Sequence, residues 1–154
     1  TFVGQNLGAD RSARARRSGW ITATYDAFSN VLLVIGIFAY GEAILRVFDD
    51  EPAPVAVALQ YLHVVAPSYV GLGVGIVLGN AMAGAGATRT TFLIDAFVIF
   101  AVQIPVSLLM AVVIGGGSLR GVFDAVAITN LASALAYCLV YTRGSWMGAV
   151  ARTR

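Results

Sequence analysis

The chain has 154 residues, 58% of them apolar and 12% charged, with net charge +2, 17 glycines and one cysteine. A soluble domain is about 45–50% apolar and about 25% charged, so this composition excludes a disordered tail and argues against a soluble fold. One cysteine, Cys138, excludes an internal disulfide and a cysteine-based metal cluster.

All ten basic residues are Arg, four of them between positions 11 and 17. They do not stripe one face of a folded unit, so no nucleic-acid partner is expected. Clusters of this kind between apolar stretches mark loops anchored at a bilayer, the expected partner. Thr1 opens the chain without a charged leader or a cleavage pattern, so the start is taken as a truncation rather than a signal peptide.

In chain order, residues 1–9 resemble the end of a preceding span, and 10–18 a basic loop. A bilayer core about 30 Å thick requires roughly 20 apolar helical residues. Residues 19–41, 55–84, 91–114 and 121–142 meet that length, and 143–154 form a tail. Each stretch ends at punctuation: Asp49-Asp50-Glu51-Pro52, Gly84-Ala85-Gly86, Gly115-Gly116-Gly117 and Arg143-Gly144. Four helices apolar all round cannot share the centre of so small a soluble protein. The fold class is therefore all-α integral membrane with four transmembrane helices.

Arg counting sets the orientation. With 10–18, 85–90 and the tail on one side, that side holds Arg11, Arg14, Arg16, Arg17, Arg89, Arg143, Arg152 and Arg154. The other holds Arg46 and Arg120 with Glu42, Asp49, Asp50 and Glu51. The positive-inside rule then makes the basic side, including the C-terminus, cytoplasmic. Residues 42–48 mix apolar and charged side chains and suit either a short interfacial helix or a loop turn.

Span one carries Thr22, Asp26, Ser29 and Asn30 at helical spacing, on one face. Asp26 lies about 10 Å into the span at 1.5 Å rise per residue, with no Arg three or four residues away. Such a carboxylate must meet water, a partner, a cation or a proton. Asp26 with Asn30 is thus a candidate ion-coupling site; snorkelling to the interface, or pairing with an Arg elsewhere, are the structural alternatives. In span two, Gly71, Gly75 and Gly79 make a smooth ridge for close helix packing, and for sliding or bending in transport. Asp95 and Gln103 in span three are further ion-coupling or substrate-cavity candidates, although Asp95 is near enough to the Arg89 loop to pair with it instead. Gln103 lies deeper, and Pro105 marks a kink or hinge. Asp124 follows Arg120 at i,i+4, which accounts for it structurally. Asn130, Ser133 and Tyr137 form a stripe able to bond neighbouring helices. His63 has no second ligand nearby, so no metal site is expected. The glycine pairs lack the third Gly or the Lys of a nucleotide loop. No catalytic set is present and no enzyme is expected.

The order of motifs carries a resemblance. Val3-Gly4-Gln5-Asn6-Leu7-Gly8-Ala9 precedes the Arg-rich loop. Ile44-Leu45-Arg46-Val47-Phe48-Asp49-Asp50-Glu51-Pro52 follows, then Ala83-Gly84-Ala85-Gly86-Ala87-Thr88-Arg89-Thr90. Gln103-Ile104-Pro105 with Leu108-Leu109, Gly121-Val122-Phe123 and Tyr141-Thr142-Arg143-Gly144-Ser145-Trp146 complete the set. Nearly the whole chain resembles the second half of a multidrug and toxic compound extrusion transporter. That resemblance implies spans nine to twelve of a twelve-helix, two-half protein of the cell membrane, whose N-terminal half is missing here. It implies export of a small amphipathic or cationic substrate in exchange for H⁺ or Na⁺, with no other cofactor. Some members carry a carboxylate in span ten, but 55–84 contains no acid. A related family exports lipid-linked sugars; Gln5, Asn6, Gly8 and Ala9 lean towards drug extrusion. The alternative from another class is a non-transporting four-span membrane subunit.

Overall fold

The computed structural model describes residues 2–114 and 116–147. The fold is all-α. A short helix, Phe2–Gly8, precedes four helices long and apolar enough to cross a membrane: Ser12–Phe48, Pro52–Gly84, Thr88–Ile114 and Leu119–Arg143. These are the first to fourth spans below.

The helices run further than hydropathy alone suggests. The expected basic loop is helical from Ser12, after Asp10 makes the turn with a left-handed φ of 56°. Arg is a good helix former, so a basic run need not be a loop. Residues 42–48 are likewise the last turns of the first span, neither a separate helix nor a loop turn, with Glu42 and Arg46 paired at 2.8 Å. At 1.5 Å per residue this helix is about 55 Å long, well beyond a 30 Å hydrocarbon core.

Local chemistry sets the other ends. The second span starts at Pro52, whose missing N–H costs nothing at a helix start. Asp49 Oδ1 accepts from the Glu51 N–H at 2.9 Å just before it. It stops where Gly86 turns left-handed at φ 96°, with the Ala87 N–H returned to the Met82 carbonyl. Ser118 caps the fourth span, and Gly144, at φ 73°, ends it. The third span is irregular. Val98–Gln103 and Leu109–Ile114 are π-helical on either side of Ile104–Leu108. Pro105 lacks the N–H that the Ala101 carbonyl would take, and its ring crowds that carbonyl, so widened turns surround it. The tail expected at 143–154 is described only to Met147; Arg152, Arg154 and Gly115 lie outside the described residues.

The second span is the hub, packed between the first and the fourth. Its glycine row faces the fourth span. A Cβ on Gly71 would lie 3.2 Å from Leu131 Cδ2, on Gly75 3.2 Å from Ala134 Cα, and on Gly79 2.8 Å from Tyr137 Cε1. Gly73, on the other face, meets the first span. The core collects where the N-terminal ends of the first and third spans meet the C-terminal ends of the second and fourth. Ala15, Leu78, Met82, Tyr141 and Trp146 are wholly buried there.

Candidate functional site

Two polar constellations lie inside the apolar spans. The first joins the first and second spans. Asp26 and Asn30 are half-buried and one helical turn apart, and Asn30 Nδ2 donates to Asp26 Oδ2 at 3.0 Å and to the Asp26 carbonyl at 3.0 Å. Asp26 therefore has a partner on its own helix, a neutral one. Its carboxylate oxygen fills the space that a Cβ on Gly73 would need. Glycine at 73 is what allows the acid to lie against the second span. Thr22 and Ser29 do not join this pair: both are exposed, and the Thr22 hydroxyl donates to the Ser18 carbonyl at 3.0 Å. A face four side chains wide narrows to two because the second span covers only part of it.

The second constellation is a cleft of about 330 Å³ between the second, third and fourth spans. Asp95, Gln103, Ser107, Thr129, Asn130 and Ser133 supply its polar lining, with Leu72 and Val98 among the apolar walls. Asp95 does not pair with the Arg89 loop. Tyr137 donates to its Oδ1 at 2.5 Å from the fourth span. An aromatic hydroxyl one layer inside the bundle reaches the acid, so the carboxylate is held facing the cleft. Asn130 Nδ2 donates to Ser68 Oγ at 2.9 Å, and Ser68 donates to the Val65 carbonyl at 2.7 Å. Pro67 precedes that Ser and removes the N–H due to the His63 carbonyl. Asp95, Gln103, Asn130 and Ser133 thus come together, whereas Asp26 and Asn30 form a separate pair.

Ser107, Thr129 and Ser68 were not singled out from sequence, and neither was Pro67. Ser107 is i+4 from Gln103, and Thr129 adjoins Asn130, so helical spacing from those candidates could have found both. His63 packs against Phe38, the rings tilted by 36° with centroids 4.8 Å apart. Arg120 and Asp124 pair at 3.6 Å. Among the described residues, no three His, Cys, Asp or Glu side chains converge to hold a metal ion.

The same chain matches known proteins on its sequence. The MatE family model matches residues 1–109. The "Probable multidrug resistance protein YpnP" of Bacillus subtilis is 25% identical over 146 residues, 95% of this chain and 32% of that protein. The "Probable multidrug resistance protein NorM" of Pseudomonas aeruginosa is 33% identical over 122 residues, 75% of this chain and 25% of that protein. The chain therefore spans between a quarter and a third of the length of these relatives. No solved structure gives a significant match. With the family model covering well over half of the residues, the chain belongs to the MatE family.

Proposed function

We propose that these four spans form one wall of a multidrug extrusion transporter, working with the spans its relatives carry beyond this length. A small amphipathic or cationic substrate occupies the cleft between the second, third and fourth spans, and an inward H⁺ or Na⁺ gradient drives its exit. The supporting observation is the cleft itself. Spans that are otherwise apolar gather one carboxylate, Asp95, and five neutral polar side chains around about 330 Å³. Polar groups at membrane depth are costly and gather where something polar passes. Pockets for small molecules begin at roughly this volume. Asp95 balances a cationic substrate, and Tyr137 holds the carboxylate in place. Asp26, with only a neutral amide beside it, takes the coupling ion. Pro105, between widened turns, is the hinge by which the third span opens the cleft. The Arg-rich end, with the C-terminus, faces the cytoplasm of the cell membrane.

The test is gradient-driven efflux in everted vesicles carrying the complete transporter, at matched expression. Asp95→Asn lowers efflux of cationic substrates at least tenfold and spares uncharged ones. Asp26→Asn still binds drug but loses the dependence on the H⁺ or Na⁺ gradient. Equal efflux from both variants and the parent overturns the roles of Asp95 and Asp26, and no efflux from the parent leaves a non-transporting subunit. A reporter fused after Arg154 and active only outside the cell overturns the orientation.

A further inference from the structure

Charge is distributed unequally between the two ends of the bundle. Both ion pairs among the described residues, Glu42–Arg46 and Arg120–Asp124, lie at one end. At the other end gather Arg11, Arg14, Arg16, Arg17, Arg89 and Arg143, and among the described residues no carboxylate lies within ion-pair distance of any of them. An open cleft of about 530 Å³ sits there, lined by Ser12, Ala13, Arg16, Arg17, Trp20 and Met147. Arg16 is fixed in it: its Nη1 donates to the Thr142 carbonyl at 3.3 Å in the last turn of the fourth span. Trp20 is fixed by its edge contact with Tyr141, ring centroids 6.0 Å apart.

We propose that this cleft binds the phosphate headgroup of an anionic phospholipid, with the acyl chains running down the first span. Charge complementarity argues for the headgroup. Two adjacent guanidiniums, with no carboxylate in ion-pair distance among the described residues, offer forked donors that suit a phosphate. The side chains beyond argue for a lipid rather than a soluble anion. Arg17, Ile21, Phe28, Leu32 and Ile35 follow one another at helical spacing on one exposed face. That order runs from charge through the neighbouring Trp20 to bare hydrocarbon, which is the polarity profile of a phospholipid from headgroup to tail. Trp belongs at the boundary between the two.

The experiment uses the chain reconstituted in phosphatidylcholine vesicles doped with brominated phosphatidylglycerol or, at equal mole fraction, brominated phosphatidylcholine. The two tryptophans report quenching; Trp146 is wholly buried, and Trp20→Phe removes the signal from the cleft. The anionic lipid quenches Trp20 more strongly than the zwitterionic one. Arg17→Gln cuts that preference about fivefold, the contribution of one basic residue near an anionic surface. Arg16→Lys, which keeps the charge but loses the fork, retains only part of it. Equal quenching by the two lipids overturns the proposal, as does a preference that survives both Arg17→Gln and Arg16→Gln. Trp20 fluorescence that responds to millimolar inorganic phosphate but not to the anionic lipid also overturns it, since the cleft would then serve a soluble anion. None of these outcomes depends on transport.

Discussion

The four spans are all apolar enough to cross a membrane, yet the two ends of this bundle differ in charge and in packing. At the Arg-rich end the buried residues are small or tightly interlocked: Ala15, Gly19 and Ala23 on the first span, and Leu78, Gly79 and Met82 on the second. Tyr141 and Trp146 stack there with centroids 5.0 Å apart. At the opposite end Gly41 is buried against Leu59 and the third span still touches the fourth, but the last turns of the first and third spans face outward. Phe48 is 83% exposed and Val113 72%. Apolar character alone puts all four helices in a bilayer, because lipid tails receive Leu and Phe as readily as another helix does. Packing within the bilayer requires small residues opposite large ones, and these are concentrated at one end. The bundle is therefore clamped at the Arg-rich end and more open at the other, where Val55 and Phe123 are buried but the first and third spans end outward, and the polar cleft lies between the two.

The sharpest way to break this contrast is to place one large side chain in each region. Gly79→Leu drives a side chain into the Tyr137 ring, which already lies 2.8 Å from where its Cβ would be. Around Gly36, in the exposed length of the first span, a new Cβ has nothing within 4 Å. Gly79→Leu should abolish the monodisperse peak in detergent gel filtration, while Gly36→Leu leaves the melting temperature unchanged or slightly raised, Leu being the better helix former by about 0.5–1 kcal/mol. Similar behaviour of the two variants would dissolve the distinction between clamp and open end.

The next largest effect comes from truncating an aromatic at each end. Trp146 is wholly buried, stacks on Tyr141 and donates from Nε1 to the Tyr141 carbonyl at 3.2 Å. Trp146→Ala should cost about 3–5 kcal/mol, the usual range for a core aromatic. Phe48→Ala, at the exposed end of the first span, should cost less than about 0.5 kcal/mol. Thermal denaturation of the two variants in the same detergent measures the difference.

The spans and most of the cleft's polar residues are legible in the sequence, but the contacts that assemble them are not. Span length and the Gly71-Gly75-Gly79 spacing point to four helices and to a close contact along the second. Helix ends are less visible: Ser12–Gly19 and Glu42–Phe48 contain charge, and hydropathy stops where helical hydrogen bonding does not. The partner of Asp95 is not legible at all. Tyr137 is 42 residues away, and only the packing of the third span on the fourth brings the two together. Conversely, Asp26 and Asn30 are readable as an i,i+4 pair. That Gly73 makes room for them depends on the register of two helices, which no local pattern encodes.

A smaller effect tests the polar seam behind the cleft. Asn130 links the fourth span to Ser68, beside the Pro67 break in the second. Asn130→Leu removes that bond and leaves the Ser68 bond to its own helix. Interhelical hydrogen bonds in membranes contribute about 0.6 kcal/mol on average, so a melting shift of a degree or two is expected. Ser68→Ala should give a similar loss, and the double variant should lose no more than either single one. Additive losses would show that the two groups act independently.

The smallest effect is expected at the open end. Arg120 and Asp124 pair at 3.6 Å with both side chains substantially exposed, one turn apart on the same helix. Such a pair contributes about 0.3–0.5 kcal/mol at most, because water screens it and both side chains lose rotamer freedom in forming it. Glu42–Arg46, the other pair, has the same i,i+4 spacing and similar exposure. Asp124→Asn and Glu42→Gln should each shift the melting temperature by less than a degree, and raising salt should erase even that. The comparison with Asp26 gives the measurement its force. Asp26→Asn removes a half-buried carboxylate whose own-helix partner is a neutral amide and which fills the space over Gly73. If all three substitutions prove equally silent in both stability and gradient-coupled efflux, Asp26 is no different from a solvated surface acid. The ion-coupling assignment then has no residue in this chain to stand on. If Asp26→Asn alone alters coupling, the contrast between a charge held inside the bundle and charges left at its open end holds at its finest scale.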